Sequence, residues 1–465
     1  MTNHTVGPGK HVGERPNILL IMTDQQRWDA MSCVSDWLAT PHIDRIARSG
    51  MRFTDAYTNS PVCIPARVSL ATGRYPHNHG MWSNREHTMS AETPTWMSSI
   101  RDAGYTTSLF GKLHLHPHAG DLRDREHLVK AYGLDHVDEI AGPRASKGAR
   151  SYMTDRWEAA GVHEAYRQDQ LDRLQSKPWV VRPSPLPLEH YADVYVGQQA
   201  KTYLQQYDAA SPWFCWVSFG GPHEPWDAPE PYASMFDPDS MPPPIQPEKA
   251  TQARPRGRLD RRLRQRPPLE PHEIAQMRAN YAGNMALIDD QIGEILGVVE
   301  ERGEVDNTVV ALISDHGEMN GDFGLLYKQN FLNASVRVPF LINVPDRTTG
   351  STTNVPVELM DMGATLVELA GAEPVEGSYA RSVAPLLDDP ARAHRESALA
   401  EWKGEVMLAT SEWKMALNAR GEIYLLFDLV NDPHETRNLA ALPEVADVER
   451  DLRRIALERL VQTAR

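Results

Sequence analysis

The sequence predicts an α/β fold: a large, mostly parallel sheet sandwiched by helices, followed by a smaller α+β domain. Three observations carry this expectation. Four short apolar runs each end in polar, ionisable residues; helical stretches alternate with them; and after about Ala370 the pattern changes to short strands with tight turns.

The first run is Ile18–Met22, ending in Thr23-Asp24-Gln25-Gln26. The second is Thr106–Phe110, ending in Gly111-Lys112-Leu113-His114. The third, Trp213–Phe219, ends in Gly220-Gly221-Pro222-His223, and the fourth, Val309–Ile313, in Ser314-Asp315-His316-Gly317. Apolar runs without alternation suit strands covered on both faces. His42–Ser49 and Thr95–Ala103 are amphipathic and precede Gly50 and Gly104, residues suited to end a helix. Pro271–Arg302 carries a long helical pattern. In open α/β sheets ligands collect at the carboxyl ends of the strands, and all four ends here carry ionisable residues.

Residues 1–370 read as one large α/β domain. Within it, residues 237–271 form a Pro/Arg-rich extended insertion, holding Pro242-Pro243-Pro244 and the basic run Arg261–Arg266. It reads first as a solvated loop, with a lid or a subunit-contact arm as the other reading. Residues 371–465 read as an α+β subdomain. Glu405–Thr410, Lys414–Leu417 and Ile423–Phe427 are its strands, Asn418–Gly421 a hairpin loop and Glu444–Thr463 a terminal helix.

Composition bounds the function. The 465 residues carry 48 Lys and Arg against 63 Asp and Glu, a formal charge of −15, which argues against nonspecific nucleic-acid binding and against docking on anionic membranes. No stretch reaches the ~18 apolar residues that span a bilayer. The N-terminal residues lack the apolar core of a secretory signal. Three cysteines, Cys33, Cys63 and Cys215, make no disulfide framework. The expected compartment is the cytoplasm, with Cys33 and Cys215 as buried thiols. A homo-oligomer stays open, through the insertion or the terminal helix.

The segment Pro61-Val62-Cys63-Ile64-Pro65-Ala66-Arg67 puts a proline in the first turn of a helix and Cys63 at its N-terminus, where free N–H groups favour an anion. Arg67 follows one turn later. Taken alone, the segment reads first as a buried structural cysteine and second as an activated thiolate. Asp24 alone could cap a helix, and Asp315-His316-Gly317 alone could be a turn.

Together the motifs say more. Cys63-x-Pro65-x-Arg67, with Thr72-Gly73-Arg74 downstream, resembles the signature of the formylglycine-dependent (type I) sulfatases of the alkaline-phosphatase-like superfamily. The likeness continues in the family's order. It takes in Arg15–Gln25, Gly111-Lys112-Leu113-His114-Leu115, Pro222-His223-Glu224-Pro225, Ser314-Asp315-His316-Gly317 with Lys328, and Leu426–Leu439.

The resemblance implies a large mixed, mostly parallel sheet and the hydrolysis of an organic sulfate monoester. It implies that a formylglycine-generating enzyme converts Cys63 to formylglycine, whose hydrate attacks sulfur and whose second hydroxyl then expels sulfate. Asp24, Gln25, residue 63, Asp315 and His316 would hold one divalent metal, Ca²⁺ first, with Mn²⁺ or Mg²⁺ as alternatives. Arg67, Lys112, His114, His223 and Lys328 would form the basic pocket. Lys112 and Arg67 would bind the hydrate, His114 would act as base in its breakdown, and His223 with Lys328 would serve the leaving oxygen. Asn84 would meet the sulfate or the substrate.

His116 and His118 extend a His-Leu-His-Pro-His run; Pro117 favours loop histidines over a zinc site. Trp82, Arg85, His87, Trp226 and Tyr232 flank pocket segments and read equally as cavity lining or packing. Ala66 stands where serine is commoner, and Gln25 where many relatives have a second Asp. Choline-sulfatase and phosphonate-monoester-hydrolase relatives share the Asp-Gln and Asp-His pairs, so a phosphonate monoester or phosphodiester hydrolase is the rival. A two-metal phosphatase would need a second ligand set that the sequence does not supply. A noncatalytic binder of sulfate esters would keep Cys63 as a thiol. The alcohol of the substrate, aryl, alkyl, choline-like or sugar, is not written in the sequence.

Overall fold

The computed structural model describes residues 15–464, apart from 86, 177–178, 250–252, 266 and 348–349. All but the last residue of the N-terminal stretch read for a signal therefore lies outside the described residues, as does the end of the Arg261–Arg266 run. Fourteen strands are described, in chain order β1 (Asn17–Thr23), β2 (Met51–Phe53), β3 (Ala56–Tyr57), β4 (Thr106–Gly111), β5 (His136–Glu139), β6 (Trp213–Ser218), β7 (Thr308–Ser314), β8 (Phe340–Asn343), β9 (Ser351–Thr353), β10 (Val357–Glu358), β11 (Ala398–Trp402), β12 (Glu405–Ala409), β13 (Trp413–Leu417) and β14 (Ile423–Asp428).

The central sheet has the order β5-β4-β6-β1-β7-β8-β2-β9. Every neighbouring pair is parallel except those made by β8, which runs antiparallel to both β7 and β2. The expected mixed, mostly parallel sheet is therefore present. β1 lies between β6 and β7, and its side chains alternate between two cores. Leu19 and Ile21 join the core under the helices Ala192–Gln206 and Pro271–Glu301. Ile18, Leu20 and Met22 join the core under Cys63–Thr72, Trp96–Asp102 and Asp361–Leu369. Because both faces are covered, the strand needs apolar residues at every position.

Strands of one direction end at one edge. β4, β6, β1 and β7 thus deliver Lys112, His223, Asp24 and Asp315 to the same side of the sheet. Gly111 is required there: its φ is +111°, and a Cβ would lie 1.9 Å from the Ser218 carbonyl oxygen. Gly50 ends the helix Pro41–Ser49 as expected and meets a second constraint. Its φ of −129° is ordinary, but a Cβ would meet the Ile342 carbonyl oxygen at 2.2 Å.

In the C-terminal part β11–β14 form an antiparallel sheet, and the helix Ala446–Gln462 packs on one face through Leu452, Ile455 and Ala456. The opposite face meets Phe331, Leu332 and Val336. The described residues of the segment 237–271, read as a solvated loop, lie at the surface and are tied down at several points. Its prolines offer no N–H to a sheet, but their carbonyls accept from Arg278 (2.9 Å to Pro242). Further along, the Glu248 amide donates to Thr436 and the Arg254 guanidinium to the Tyr424 carbonyl; Arg258–Arg264 is a helix with Leu259 buried. Cys33, expected buried, is partly exposed, while Cys215 is buried; all three cysteines are free thiols. Among the described residues no helix is long and apolar enough to cross a membrane.

Glu358 ties the two parts together. It is fully buried and accepts from Tyr75 Oη (2.6 Å), Arg459 Nη2 of the terminal helix (2.7 Å) and the Leu399 amide (3.0 Å). Removing one partner of a buried ion pair strands the other. Glu358→Ala is expected to cost about 3–5 kcal/mol in urea unfolding; a loss under about 1 kcal/mol would deny Glu358 this joining role.

Candidate active site

Cys63 opens the helix Cys63–Thr72, with Val62 as its cap residue. Pro65 occupies the first turn, where its missing N–H leaves nothing unsatisfied. The Ile64 amide donates to Asn84 Oδ1 (2.9 Å), so the carbonyl of Asn84 caps the helix from the following loop. Cys63 is 1% exposed.

One turn on, Arg67 is wholly buried and uses every branch of its guanidinium. Nε donates to Asp315 Oδ2 (2.9 Å), Nη2 to Asp24 Oδ2 (3.2 Å), and Nη1 to the Lys112 carbonyl (2.6 Å) and Ser218 Oγ (3.2 Å). Lys112 Nζ also donates to Asp24 Oδ2. The sequence-predicted Asp24, Arg67, Lys112 and Asp315 therefore meet in one buried cluster.

His316 brings Nε2 to 3.1 Å from Cys63 Sγ. Its Nδ1 lies 3.1 Å from the Gly317 carbonyl, which can only accept, so Nδ1 carries a proton and Nε2 is the atom turned to the cysteine. Donor atoms of Asp24, Cys63, Asp315 and His316 all lie within 4.8 Å of one another. Asp24 Oδ1 is buried without a hydrogen-bond partner. An unpaired carboxylate oxygen on a member of such a donor set fits a divalent cation.

Gln25 has a different neighbourhood from the other predicted ligands. Its backbone N–H donates to Asp315 Oδ1 (3.0 Å), while its side-chain oxygen accepts from Lys328 Nζ. Its Nε2 donates to Glu224 Oε2 (2.8 Å) and to Glu318. His223 Nδ1 donates to the Glu224 carbonyl (2.6 Å), which leaves Nε2 as its open position, and the side chain is 13% exposed. His114, at φ +60°, is within hydrogen-bonding reach of Cys63, and its Nδ1 is buried without a partner.

The electrostatics follow from this packing. Burial pushes the Cys63 thiol up, but Lys112, Lys328 and His316, with a hydrogen bond to His114, hold it well below the usual thiol range. Burial and Cys63 push Asp24 up; Lys112, His223 and Arg67 outweigh them and hold it below the ordinary carboxylate range. Burial lowers Lys328, yet Cys63, Glu224, Asp24 and Asp315 keep it above the usual lysine value. The site is built to hold negative charge at residue 63.

Sequence reasoning passed over three buried carboxylates: Glu139, Glu224 and Glu318. Glu224 stands inside the quoted Pro222–Pro225 segment and Glu318 two residues after His316, and those positions were the available signals. Of the flanking aromatics, Trp226 stacks on Tyr327 at 5.9 Å, and Arg144 lies over the same Tyr327 ring at 5.4 Å. Tyr232 is turned to Asp290 on the long helix (2.6 Å).

Residues 16–372 match the sulfatase family, and residues 321–462 match the C-terminal region of N-sulphoglucosamine sulphohydrolase. An arylsulfatase of Clostridium perfringens is 27% identical over 457 residues, spanning 96% of this chain and 94% of its own. A ulvan-active sulfatase of Formosa agariphila is 30% identical over 458 residues, spanning 94% of this chain and 80% of its own. A phosphonate monoester hydrolase from Silicibacter pomeroyi shares the fold, with a TM-score of 0.77 at 24% identity over 97% of this chain and 96% of that one. The chain therefore belongs to the sulfatase family, sulfuric ester hydrolases built on the alkaline-phosphatase-like fold.

Proposed function

We propose that the protein hydrolyses an organic sulfate monoester to an alcohol and inorganic sulfate, with residue 63 as formylglycine and one divalent metal bound beside it. The observation that carries this reading is the buried meeting of Cys63 with Asp24, Asp315 and His316 on one side and Lys112 and Lys328 on the other. Residue 63 is the unmodified cysteine in the structure, and its Sγ stands for the oxygens of the hydrate. A formylglycine-generating enzyme is the maturation partner. The hydrate supplies the nucleophile and, through its second hydroxyl, the route by which sulfate leaves.

Asp24, Asp315, His316 and residue 63 would hold the metal, with Gln25 at its margin through its bond to Asp315. Hard carboxylate oxygens favour Ca²⁺, and the imidazole admits Mn²⁺; Mg²⁺ also suits the carboxylates. When bound, the metal lowers the pKa of the hydrate and clamps a substrate oxygen. Arg67 donates to Asp24 and Asp315 together, so its part is to fix both carboxylates. Lys112 and Lys328 face the charge that grows on the sulfuryl oxygens. His223 Nε2 moves a proton to the leaving oxygen, and His114 serves residue 63 as base. Asn84 keeps its Nδ2 for a sulfate oxygen.

We also read residues 1–370 as the catalytic domain and 371–465 as the C-terminal subdomain. Supporting this division, every assigned site residue precedes Gln329, and β11–β14 follow Ser397. Free cysteines support a reducing, cytoplasmic setting.

Mass spectrometry of peptide Phe53–Arg67, from protein made with formylglycine-generating activity, should show sulfur lost and an aldehyde gained at residue 63. The same preparation should turn over aryl sulfates faster than aryl phosphonate monoesters, and a chelator should suppress that turnover. An intact thiol together with no turnover sinks the reading. Formylglycine with a preference for phosphonates replaces it by the phosphonate hydrolase.

His223→Ala separates the proton donor from the rest. It should lower kcat by ~10²–10⁴-fold for a sulfate of a poorly leaving alcohol, and far less for 4-nitrophenyl sulfate, whose leaving group needs no proton. Equal losses on both substrates would remove His223 from that role.

A further inference from the structure

His116 and His118, which end the His-Leu-His-Pro-His run after β4, are left without a part in the chemistry described above, yet they are not solvated loop histidines. His116 is fully buried, and the His118 side chain is 2% exposed. Both converge on Glu139, the last residue of the edge strand β5. His116 Nε2 lies 3.0 Å from Glu139 Oε2, and His118 Nε2 lies 3.3 Å from Oε1. The backbone N–H of His114 also donates to Oε1, at 3.3 Å. One buried carboxylate thus gathers three donors from five consecutive residues.

The partners fix the protons. His118 Nδ1 accepts from the Gly142 amide (3.0 Å), so its proton sits on Nε2 and is given to Glu139. His116 stands between two acceptors, Glu139 and the Pro117 carbonyl at 3.3 Å, so it satisfies both only as an imidazolium. Glu139 and His116 then form a neutral pair, and the cluster adds no net charge beside residue 63. The raised pKa of His116, where burial opposes and Glu139 prevails, agrees with that assignment.

His118 is the link to the site. Its ring stacks on the ring of His114, with centroids 4.1 Å apart and planes 22° apart. His114 Nδ1 has no hydrogen-bond partner. Its orientation is set by that stack and by its left-handed backbone (φ +60°), and Glu139 holds both. We propose that Glu139, acting through His118, is a positioning residue that holds the imidazole of His114 against residue 63. The inference rests on the functional reading above, in which His114 is the base that serves residue 63.

The test uses full-length enzyme with its formylglycine content measured, so that kcat is expressed per modified chain, with His114→Ala as the benchmark. Glu139→Ala removes the acceptor shared by His116, His118 and the His114 amide. Its kcat should fall ~10–100-fold, as is usual when the partner that orients a reacting group is lost. KM should change by less than about threefold, because no substrate contact is removed. His118→Ala, which takes away the stack, should show the same split. His118→Phe, which restores a flat ring, should recover at least about threefold of the kcat lost in His118→Ala. Wild-type kcat in both Glu139→Ala and His118→Ala overturns the inference alone, as does a loss in which KM rises in step or which His118→Phe fails to relieve. A wild type that carries formylglycine but hydrolyses no sulfate ester overturns the functional reading and this inference with it.

Discussion

The guanidinium of Arg67 ties Asp24 at the end of β1 to Asp315 at the end of β7, and the rest of the site depends on that tie. Two carboxylates side by side in a buried space repel one another and resist ionisation. A cation shared between them keeps both charged and both in place. Arg67 meets this need because its fork reaches two acids and two further acceptors at once, which a lysine ammonium would not do in one plane. Four residues before it on the same helix face stands Cys63. The helix that carries the reacting residue is thus anchored to the sheet edge by the same group that assembles the acids.

Gln25 is best understood from the charge around it. Glu224 and Glu318 both receive hydrogen bonds from its amide, while Lys328 donates to its oxygen. Burial and Glu224 already push Glu318 above the ordinary carboxylate range. A third carboxylate at position 25 would face both of these acids with Lys328 as the adjoining cation. A neutral amide, with donor and acceptor ends, joins lysine and glutamates without adding charge. The departure from a second Asp at this position therefore goes with the two glutamates. It also explains how a chain of net charge −15 holds cations in its pocket, since Lys112, Lys328 and Arg67 are each paired or bridged locally.

What the sequence revealed depended on how a residue gets its environment. β1, β4, β6 and β7 were legible because strands covered on both faces are apolar throughout, and the residues just past their ends were legible because parallel strands finish together. β5 was not: His136-Val137-Asp138-Glu139 is an edge strand with exposed and half-buried positions, and it carries no apolar run. β11, Ala398–Trp402, was missed because Ala and Glu are poor strand formers and packing decides its conformation. Among site residues, Glu139 and Glu318 were hidden for a related reason. A glutamate is normally solvated, and these become site residues only because histidines 114–118 and Gln25 bring their donors from elsewhere in the fold.

The strap formed by the described residues of 237–271 shows the same reversal on a larger scale. Its proline and arginine content reads as solvent-loving, yet Arg254, Arg258 and Arg262 donate to backbone carbonyls. Arg262 donates to the carbonyls of Leu326 (2.7 Å) and Lys328, the residue whose ammonium enters the site. Arg278, on the long helix, pairs with Asp322 (2.7 Å) and holds the strap at Pro242; Arg27, three residues after Asp24, pairs with the same Asp322 (2.8 Å). The loop that presents Lys328 is therefore gripped from outside by the strap and from inside by the strand end that presents Asp24. A carbonyl bound to a guanidinium keeps its peptide from turning, so the charge of Lys328 is aimed by contacts made on its backbone. In this fold the strand ends decide which groups meet, and the strap fixes how one of them is held.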